Sequence, residues 1–334
     1  MIGKKDDFMF VLERRKPLPL QKIDRIISRL PPTHPKLPQL REHAAKLQKG
    51  YNGERKLDYH LTSLPKSFAI LNDVSIFVFN KLTQIDSLII SPHALFIIEV
   101  KSYENEVTFN TNLRQFLQHK GDSIQRYKYP VTQVENIQFH LLHWLKQYKV
   151  AGLPIYYFIA FSEQSTIINV IGNEDYIKRI VSYVDEIPLR IMNQNEKFEK
   201  NQSPNLELRN KLVQTILRNR VVFDKEVLKE FDINKHELLK GVHCPKCGKL
   251  AMERKFKKWI CSYCSHASKN AHVNALNDWF LLFGDSMTNH QCRNFLKLES
   301  RHVAKRILQT SNMKLVNKIW YKMKQENLHS YHSS

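Results

Sequence analysis

The stretch Phe96-Ile-Ile-Glu-Val-Lys101 decides the fold. Five of its neighbours and members are apolar, yet Glu99 and Lys101 sit inside the run. In an extended strand, residues two apart point the same way, so Glu99 and Lys101 share one face with Leu95 and Ile97. Charges inside a buried strand need compensation. Thr83 to Ser91 is a second apolar strand interrupted by one acid, Asp86, and only Ser91-Pro-His93 separates it from the strand Ala94 to Ser102. So short a connection makes the two strands antiparallel neighbours and brings Asp86 within metal-sharing distance of Glu99.

Two helices extend this cluster. One is expected to start after Asn52 as N-cap, with Glu54, Leu57, Leu61 and Leu64 on one face. That spacing turns Glu54 toward the sheet; the competing reading is a first-turn Glu favoured by the helix dipole. Pro130 opens a long amphipathic helix whose inner face is expected to carry Gln133, Ile137, Leu141, Trp144, Leu145 and Tyr148. Gln133 is either an amide satisfied in the core or a partner of the cluster. Strands at Phe68 to Leu71 and Ile155 to Phe161, and a hairpin from Glu106 to Gln118, complete an α/β pattern: a mixed sheet flanked by helices.

Such a site suits phosphodiester hydrolysis, which needs charge neutralisation and an activated water. Magnesium, or manganese in its place, takes carboxylate oxygens and waters. Asp86 and Glu99 would hold it, with the Val100 carbonyl, and Lys101 would hold or activate the attacking water and stabilise negative charge.

With those residues in view, the sequence resembles the nuclease-related domain (NERD) family. The resemblance is carried by Gly50-Tyr-Asn-Gly-Glu54, Gln84-Ile-Asp86, Ile98-Glu99-Val-Lys101-Ser-Tyr103 and Tyr129-Pro130-Val-Thr-Gln133. The lead-in Lys16-Pro-Leu-Pro-Leu is similar to that of bacillus-type members. The resemblance implies the restriction-endonuclease-like fold of the PD-(D/E)xK superfamily and a magnesium-dependent catalytic set of Glu54, Asp86, Glu99, Lys101 and Gln133.

Further along, Cys244-Pro-Lys-Cys247 and Cys261-Ser-Tyr-Cys264 are two Cys-x2-Cys knuckles. Four thiolates can close a tetrahedron around one structural zinc ion, with His243, His266 and His272 as unneeded substitutes. Between them, Arg254-Lys-Phe-Lys-Lys-Trp259 interleaves charge and aromatics. Arg254, Lys255, Lys257, Lys258 and Trp259 suit phosphate contact and base stacking, or form a solvated hairpin face. Cys292 reads as a small buried apolar residue. Thr288 and Ser300 are N-caps of two helices, Thr288 to Leu298 and Ser300 to Thr310, with Lys314 to Met323 as a wing. The second helix turns Arg301, His302, Lys305 and Arg306 outward, as in a helix-turn-helix or a plain helical hairpin.

The 334 residues carry a net charge of +20, and 42% are hydrophobic. Residues 241–334 hold 16 Lys or Arg against 5 Asp or Glu, an excess of 11 out of 20. A polyanionic partner is expected from the charge, nucleic acid first and an acidic membrane surface second, and among nucleic acids DNA is favoured for the expected activity. No stretch is apolar enough to span a membrane, and Met1-Ile-Gly-Lys-Lys-Asp-Asp lacks the apolar core of a signal peptide. Clustered cysteines point to metal in a reducing, cytoplasmic compartment. Oligomeric state is open. Five segments are expected: a basic extension (1–49) read as a packing arm, a nuclease-like domain (50–165), a mixed connecting region (166–240), a zinc ribbon (241–270) and a basic helical tail (271–334). Within the connecting region, 167–171 and 179–184 read as strands, 193–205 as a loop, and 206–219 and 224–240 as helices. The expected function is a metal-dependent nuclease; the rivals are a non-catalytic nucleic-acid binder with the same fold and a protein-interaction adaptor.

Overall fold

The computed structural model describes residues 9–200, 203–311 and 313–323. The expectation for the first seven residues lies outside them. Two compact units emerge: Met1–Leu18 with Ala45–Asp224, and Pro19–Ala44 with Lys225–Ser334. In chain order the elements begin with β1 (Phe10–Leu12), α1 (Leu18–Arg29), α2 (Leu37–Leu61), β2 (Ala69–Val78), β3 (Lys81–Ile90) and β4 (Leu95–Lys101). There follow β5 (Glu106–Asn110), β6 (Gln115–Lys120), β7 (Ser123–Tyr127), α3 (Pro130–Gln147), β8 (Ile155–Phe161) and β9 (Ile167–Ile171). Then come α4 (Glu174–Ile180), β10 (Val181–Tyr183), α5 (Ile187–Glu199), α6 (Leu206–Asn219) and α7 (Val227–Glu230). The last part holds β11 (Met252–Lys255), β12 (Lys258–Cys261), β13 (Ala267–Ser268), α8 (His272–Phe283), β14 (Ser286–Thr288), α9 (Asn289–Leu296), α10 (Arg301–Thr310), β15 (Met313–Val316) and β16 (Ile319–Lys322).

The first unit is a mixed α/β layer structure. Its six-stranded sheet runs β1-β2-β3-β4-β8-β10. β3 is antiparallel to β2 and β4, while β4 and β8 are parallel. Along β4 the side chains alternate between two cores. Leu95 and Ile97 join Leu141 and Trp144 of α3 and Leu212 of α6. Phe96 and Ile98 join Leu57 and Leu61 of α2 and Ile187 and Ile191 of α5. With both faces covered, the strand reads as a continuous apolar run. A four-stranded sheet, β7-β6-β5-β9, carries Phe109 and Phe116 into a further core.

The second unit holds one core in which ribbon and tail are continuous: Trp259 and Cys261 share it with Phe295, Ile307, Leu308 and Trp320. β11-β12-β13 form the ribbon sheet, and β14-β16-β15 form the wing beside α9 and α10. Thr288 and Ser300 cap these helices, accepting from the backbone amides of Gln291 and Val303. The helix pair with its wing is therefore a winged helix-turn-helix arrangement rather than a plain hairpin.

Several expectations are corrected. α2 does not start after Asn52 but runs through it from Leu37; the Asn52 side chain accepts from Gln48 Nε2 at 2.8 Å instead of capping a backbone amide. β2 does not stop at Leu71. Asp73 adopts a left-handed backbone (φ 53°), which Asp tolerates, and the strand continues to Val78. Residues 193–199 belong to α5, opened by Pro188 and burying Ile191 and Asn195 under a polar exterior. Residues 179–184 divide between α4 and β10. The long helix expected at 224–240 is a single turn, ended at Asp232 (φ 52°) and followed by an Asn234 capping box. The lead-in is not one packing arm either: residues 19–44 group with the C-terminal unit.

Candidate active site and metal centre

The carboxyl end of β4 and the kinked middle of β2 and β3 bring the charged residues of the first unit together. Lys101 Nζ donates to Glu99 Oε1 at 2.7 Å and to Gln133 Oε1 at 2.9 Å. Gln133 Nε2 in turn donates to Glu99 Oε1 at 2.6 Å. Gln133 is thus the partner of the strand charges. It reaches them from the first turn of α3, which starts at Pro130. Asp86 Oδ2 accepts the Val100 amide at 2.9 Å, which locks β3 against β4 where the ladder would otherwise lapse.

Glu54 arrives on α2 because Gly53 lets that helix approach closely. A Cβ at Gly53 would stand 2.0 Å from Ser102 Oγ and 2.6 Å from Ser162 Oγ, at the ends of β4 and β8. Glu54 is bound by a residue that the sequence reading did not single out, Arg14. Its Nη1 donates to Glu54 Oε2 at 2.8 Å and to Asp73 Oδ1 at 3.0 Å. Its Nε meets Asp58 Oδ2 at 2.9 Å, and its Nη2 reaches Asp58 Oδ1, the Asp86 carbonyl and Ser87 Oγ. Two signals pointed here: Asp58 lies one turn after Glu54 on α2, and Asn72-Asp73 interrupts an apolar strand.

The electrostatics are those of crowded acids. Burial, then the charge of Asp86, pushes the Glu99 carboxyl up to about 7, against the pull of Lys101. Burial, then Asp86, pushes Glu54 up to about 8, although Arg14 opposes the rise. Asp73 rises to about 6, again by burial first. Burial works against the Lys101 ammonium, but Glu99 and Asp86 outweigh it and raise its pKa, so it stays charged.

The donor chemistry fits a hard divalent ion. Glu99 uses Oε1 for both Lys101 and Gln133, and Asp86 uses Oδ2 for Val100, so each keeps one oxygen for a ligand. One or two carboxylates plus waters are what magnesium takes.

In the second unit, among the described residues, Cys244, Cys247, Cys261 and Cys264 form a four-residue set whose sulfurs all lie within 4.8 Å. These four are positioned to bind a metal ion. The Cys244–Cys264 and Cys247–Cys261 sulfur distances are each 3.7 Å. A tetrahedron with metal–sulfur bonds of about 2.3 Å has edges of about 3.8 Å, which matches. Gly248 takes φ 70° in the first knuckle. Two of the three substitute ligands are otherwise engaged: His243 Nε2 is 3.1 Å from the Ser28 carbonyl, and His272 Nδ1 accepts from Trp259 Nε1 at 3.0 Å.

That bond also corrects the expected stacking role of Trp259, which is fully buried against His272. Phe256, at the hairpin tip between Lys255 and Lys257, is 98% exposed. Arg301, His302, Lys305 and Arg306 all point outward on α10, and Lys255, Lys257 and Lys258 are exposed on the ribbon. Arg254 is only partly exposed; burial, then the nearby charge of Arg306, lowers its pKa. Cys292 is buried, and burial raises its thiol to about 12.

Residues 49–162 match the family model of the nuclease-related domain. The chain carries a nuclease-related domain. The nuclease-related domain spans Glu54, Asp86, Glu99, Lys101 and Gln133, while Arg14 and the four cysteines lie outside the matched residues. No curated protein and no solved structure matches the chain. No helix among the described residues is long and apolar enough to cross a membrane.

Proposed function

We propose that the chain is a divalent-metal-dependent nuclease that hydrolyses phosphodiester bonds, with DNA the preferred substrate. The observation that carries this reading is the Glu99–Lys101–Gln133 triangle beside Asp86, built at the carboxyl end of a parallel strand inside a nuclease-related domain. Asp86 and Glu99 would hold a magnesium or manganese ion, which when bound would supply Lewis-acid stabilisation of the phosphoryl oxygens and lower the pKa of a coordinated water. Lys101, kept charged by Glu99, steadies the attacking water and the developing negative charge; it is an electrostatic partner and not a general base. Gln133 holds both side chains in register. A cleft of about 600 Å³ begins on the neighbouring turn of α2; Arg55 and His60 line it, and Lys56 there is paired with Glu163 at 2.8 Å.

The C-terminal unit, with one structural zinc at the four cysteines, would hold the nucleic acid. The exposed Arg301, His302, Lys305 and Arg306 of α10 resemble a recognition-helix face, and the ribbon lysines add phosphate contacts. Free thiolates committed to zinc fit a cytoplasmic setting.

The test is cleavage of plasmid and oligonucleotide DNA and of RNA by the purified full chain with magnesium. Glu99→Ala and Lys101→Ala should each lower cleavage about 1000-fold, the cost of removing a group that stabilises transition-state charge. Equal cleavage by all three proteins would overturn the assigned site, and no cleavage on any substrate would leave a nucleic-acid-binding protein with the nuclease fold.

A further inference from the structure

Aromatic rings crowd together where the tip of the β2–β3 hairpin meets the second half of α3, away from the acids and Lys101. Phe79 and Phe139 stack at 5.8 Å with their planes 25° apart. His143 lies 4.1 Å from Phe139 and 5.2 Å from Phe79, and His140 lies 5.9 Å from each. A 2.7 Å hydrogen bond between His140 Nδ1 and Thr83 Oγ1 fastens the helix to the hairpin. The two phenylalanines are not part of a core: Phe79 is 50% and Phe139 51% exposed, and neither joins the clusters on the two faces of the sheet.

The hairpin presents Phe79 at a cost in strain. Val78 pairs with Lys81, so Phe79-Asn80 is a two-residue loop, and both residues take left-handed backbones, φ 52° and 55°. Such a loop favours Asn or Asp followed by Gly, and a bulky side chain at its first position is an outlier. Strain of this kind clusters at functional sites. Asn at position 79 would make the same turn more easily; what Phe79 adds is an exposed ring beside Phe139.

The surroundings are cationic. No Asp or Glu occurs from Val74 to Gln84 or from Asn136 to Ser162. Lys81 follows the turn and Lys146 lies one helical turn after His143; both are exposed, and neither has an ion-pair partner among the described residues. Burial, then Lys81, then His143 lowers the His140 pKa, with no acid opposing them. Lysines are depleted from the centres of protein–protein interfaces, so a patch broken up by lysines and imidazoles is a poor match for an apolar protein surface. Rings among cations, with no acid near, suit a polyanion that carries rings of its own. Unpaired bases stack on aromatic side chains whatever their identity, and cations beside the rings take the backbone.

We propose that Phe79, Phe139 and His143 form a stacking platform for unpaired nucleotides, with Lys81 and Lys146 on their phosphates. This rests on the reading of nucleic acid as the partner, and not on its cleavage. Phe139 and His143 follow Gln133 along α3 by about 9 and 15 Å of helix rise. A strand held on the platform therefore lies within a few nucleotides of the Glu99–Lys101–Gln133 cluster, and single strands should be preferred to duplex.

The experiment uses the zinc-loaded full chain in magnesium-free buffer with an iodouracil-substituted oligodeoxythymidine. Long-wavelength ultraviolet light joins iodouracil to a ring stacked on it, and mass spectrometry locates the joined residue without any variant. Adducts at Phe79, Phe139 or His143 are expected. Affinity for the single-stranded probe should fall about tenfold in Phe139→Ala and in Phe79→Asn, the asparagine taking the left-handed backbone and keeping the turn. Affinity for a duplex of the same length should change little. Adducts confined to other residues, or equal affinity of the wild type and both folded variants, overturn the inference. A dimer in analytical ultracentrifugation that Phe139→Ala dissociates also overturns it, since the rings would then join two copies of the chain. No binding of any oligonucleotide overturns the nucleic-acid reading itself, and the platform falls with it.

Discussion

Arg14 and Arg29 come from the same proline-punctuated lead-in, and both are buried, with side chains 2% and 0% exposed. Their surroundings are opposite. Arg29, in the C-terminal unit, donates through Nε and Nη2 to one oxygen of Asp278 at 3.0 and 2.7 Å and to the carbonyls of Leu239 and Gly241. It lies over the Phe295 ring, and Arg25 shares the same Asp278. That is a small cationic surplus closed off by protein. Arg14 faces three carboxylates and a surplus of negative charge. The pKa directions follow: burial prevails at Arg29 and lowers it, whereas the surrounding acids overcome burial at Arg14 and raise it. A buried arginine with one acid fastens a fold, and one ringed by several acids is held charged by them.

The largest effect separates the two units outright. Removing zinc by chelation, or Cys247→Ser, should unfold the C-terminal unit, since four-thiolate zinc contributes about 10 kcal/mol to small domains. The nuclease-related domain should stay folded. Circular dichroism and limited proteolysis of the full chain check this, and a C-terminal unit that resists proteolysis without zinc would break the contrast.

Next comes a pair of acids. Asp278→Ala strands the buried Arg29 and should cost about 3–5 kcal/mol in urea denaturation. Asp73→Asn should be neutral or stabilising, because it removes one of several repelling carboxylates and Asn also tolerates the left-handed backbone at that position. Similar losses at both sites would erase the distinction between a fastening pair and an acid-rich site.

The pH response is smaller. Glu54 rises from its ordinary 4.5 to about 8 and Asp73 from 3.8 to about 6, so the folded chain binds more protons than the unfolded one between those values. Stability of the first unit should then fall as pH climbs from about 5 to 8 in magnesium-free buffer, as linkage requires. Magnesium should flatten the decline. Urea midpoints for wild type and Glu54→Gln, across that window, measure it. A decline that Glu54→Gln leaves untouched would remove Glu54 as its source.

The smallest effects belong to the basic surface. Arg306→Ala should lower the slope of log affinity against log salt by about one, the signature of one lost phosphate contact. Phe256→Ala should weaken binding to single-stranded oligonucleotides more than to duplex, as expected of an exposed stacking ring.

Much of this was legible in the sequence. Glu99 and Lys101 stood out because charge inside an apolar run is locally visible, and Gln133 because helical spacing turned it inward. The limits of β8, β9 and α6 follow from apolar runs and turn residues. The four cysteines need only spacing, and Thr288 and Ser300 act as caps because their hydroxyls reach amides three residues on. Trp259 misled because an aromatic between lysines looks exposed when only composition is read. In the structure, strand alternation turns it inward and leaves Phe256 at the tip.

What the sequence by itself determined is therefore the local chemistry: which residues are strand, helix or knuckle, and which of them carry charge against their surroundings. What only the tertiary structure decided is who answers those charges. Arg14 meets Glu54 across 40 residues and Asp73 across 59, and Arg29 meets Asp278 across 249. Periodicity fixes the face on which a side chain stands. Chain separations of that length are closed by packing of the cores, and no local pattern records which arginine arrives where.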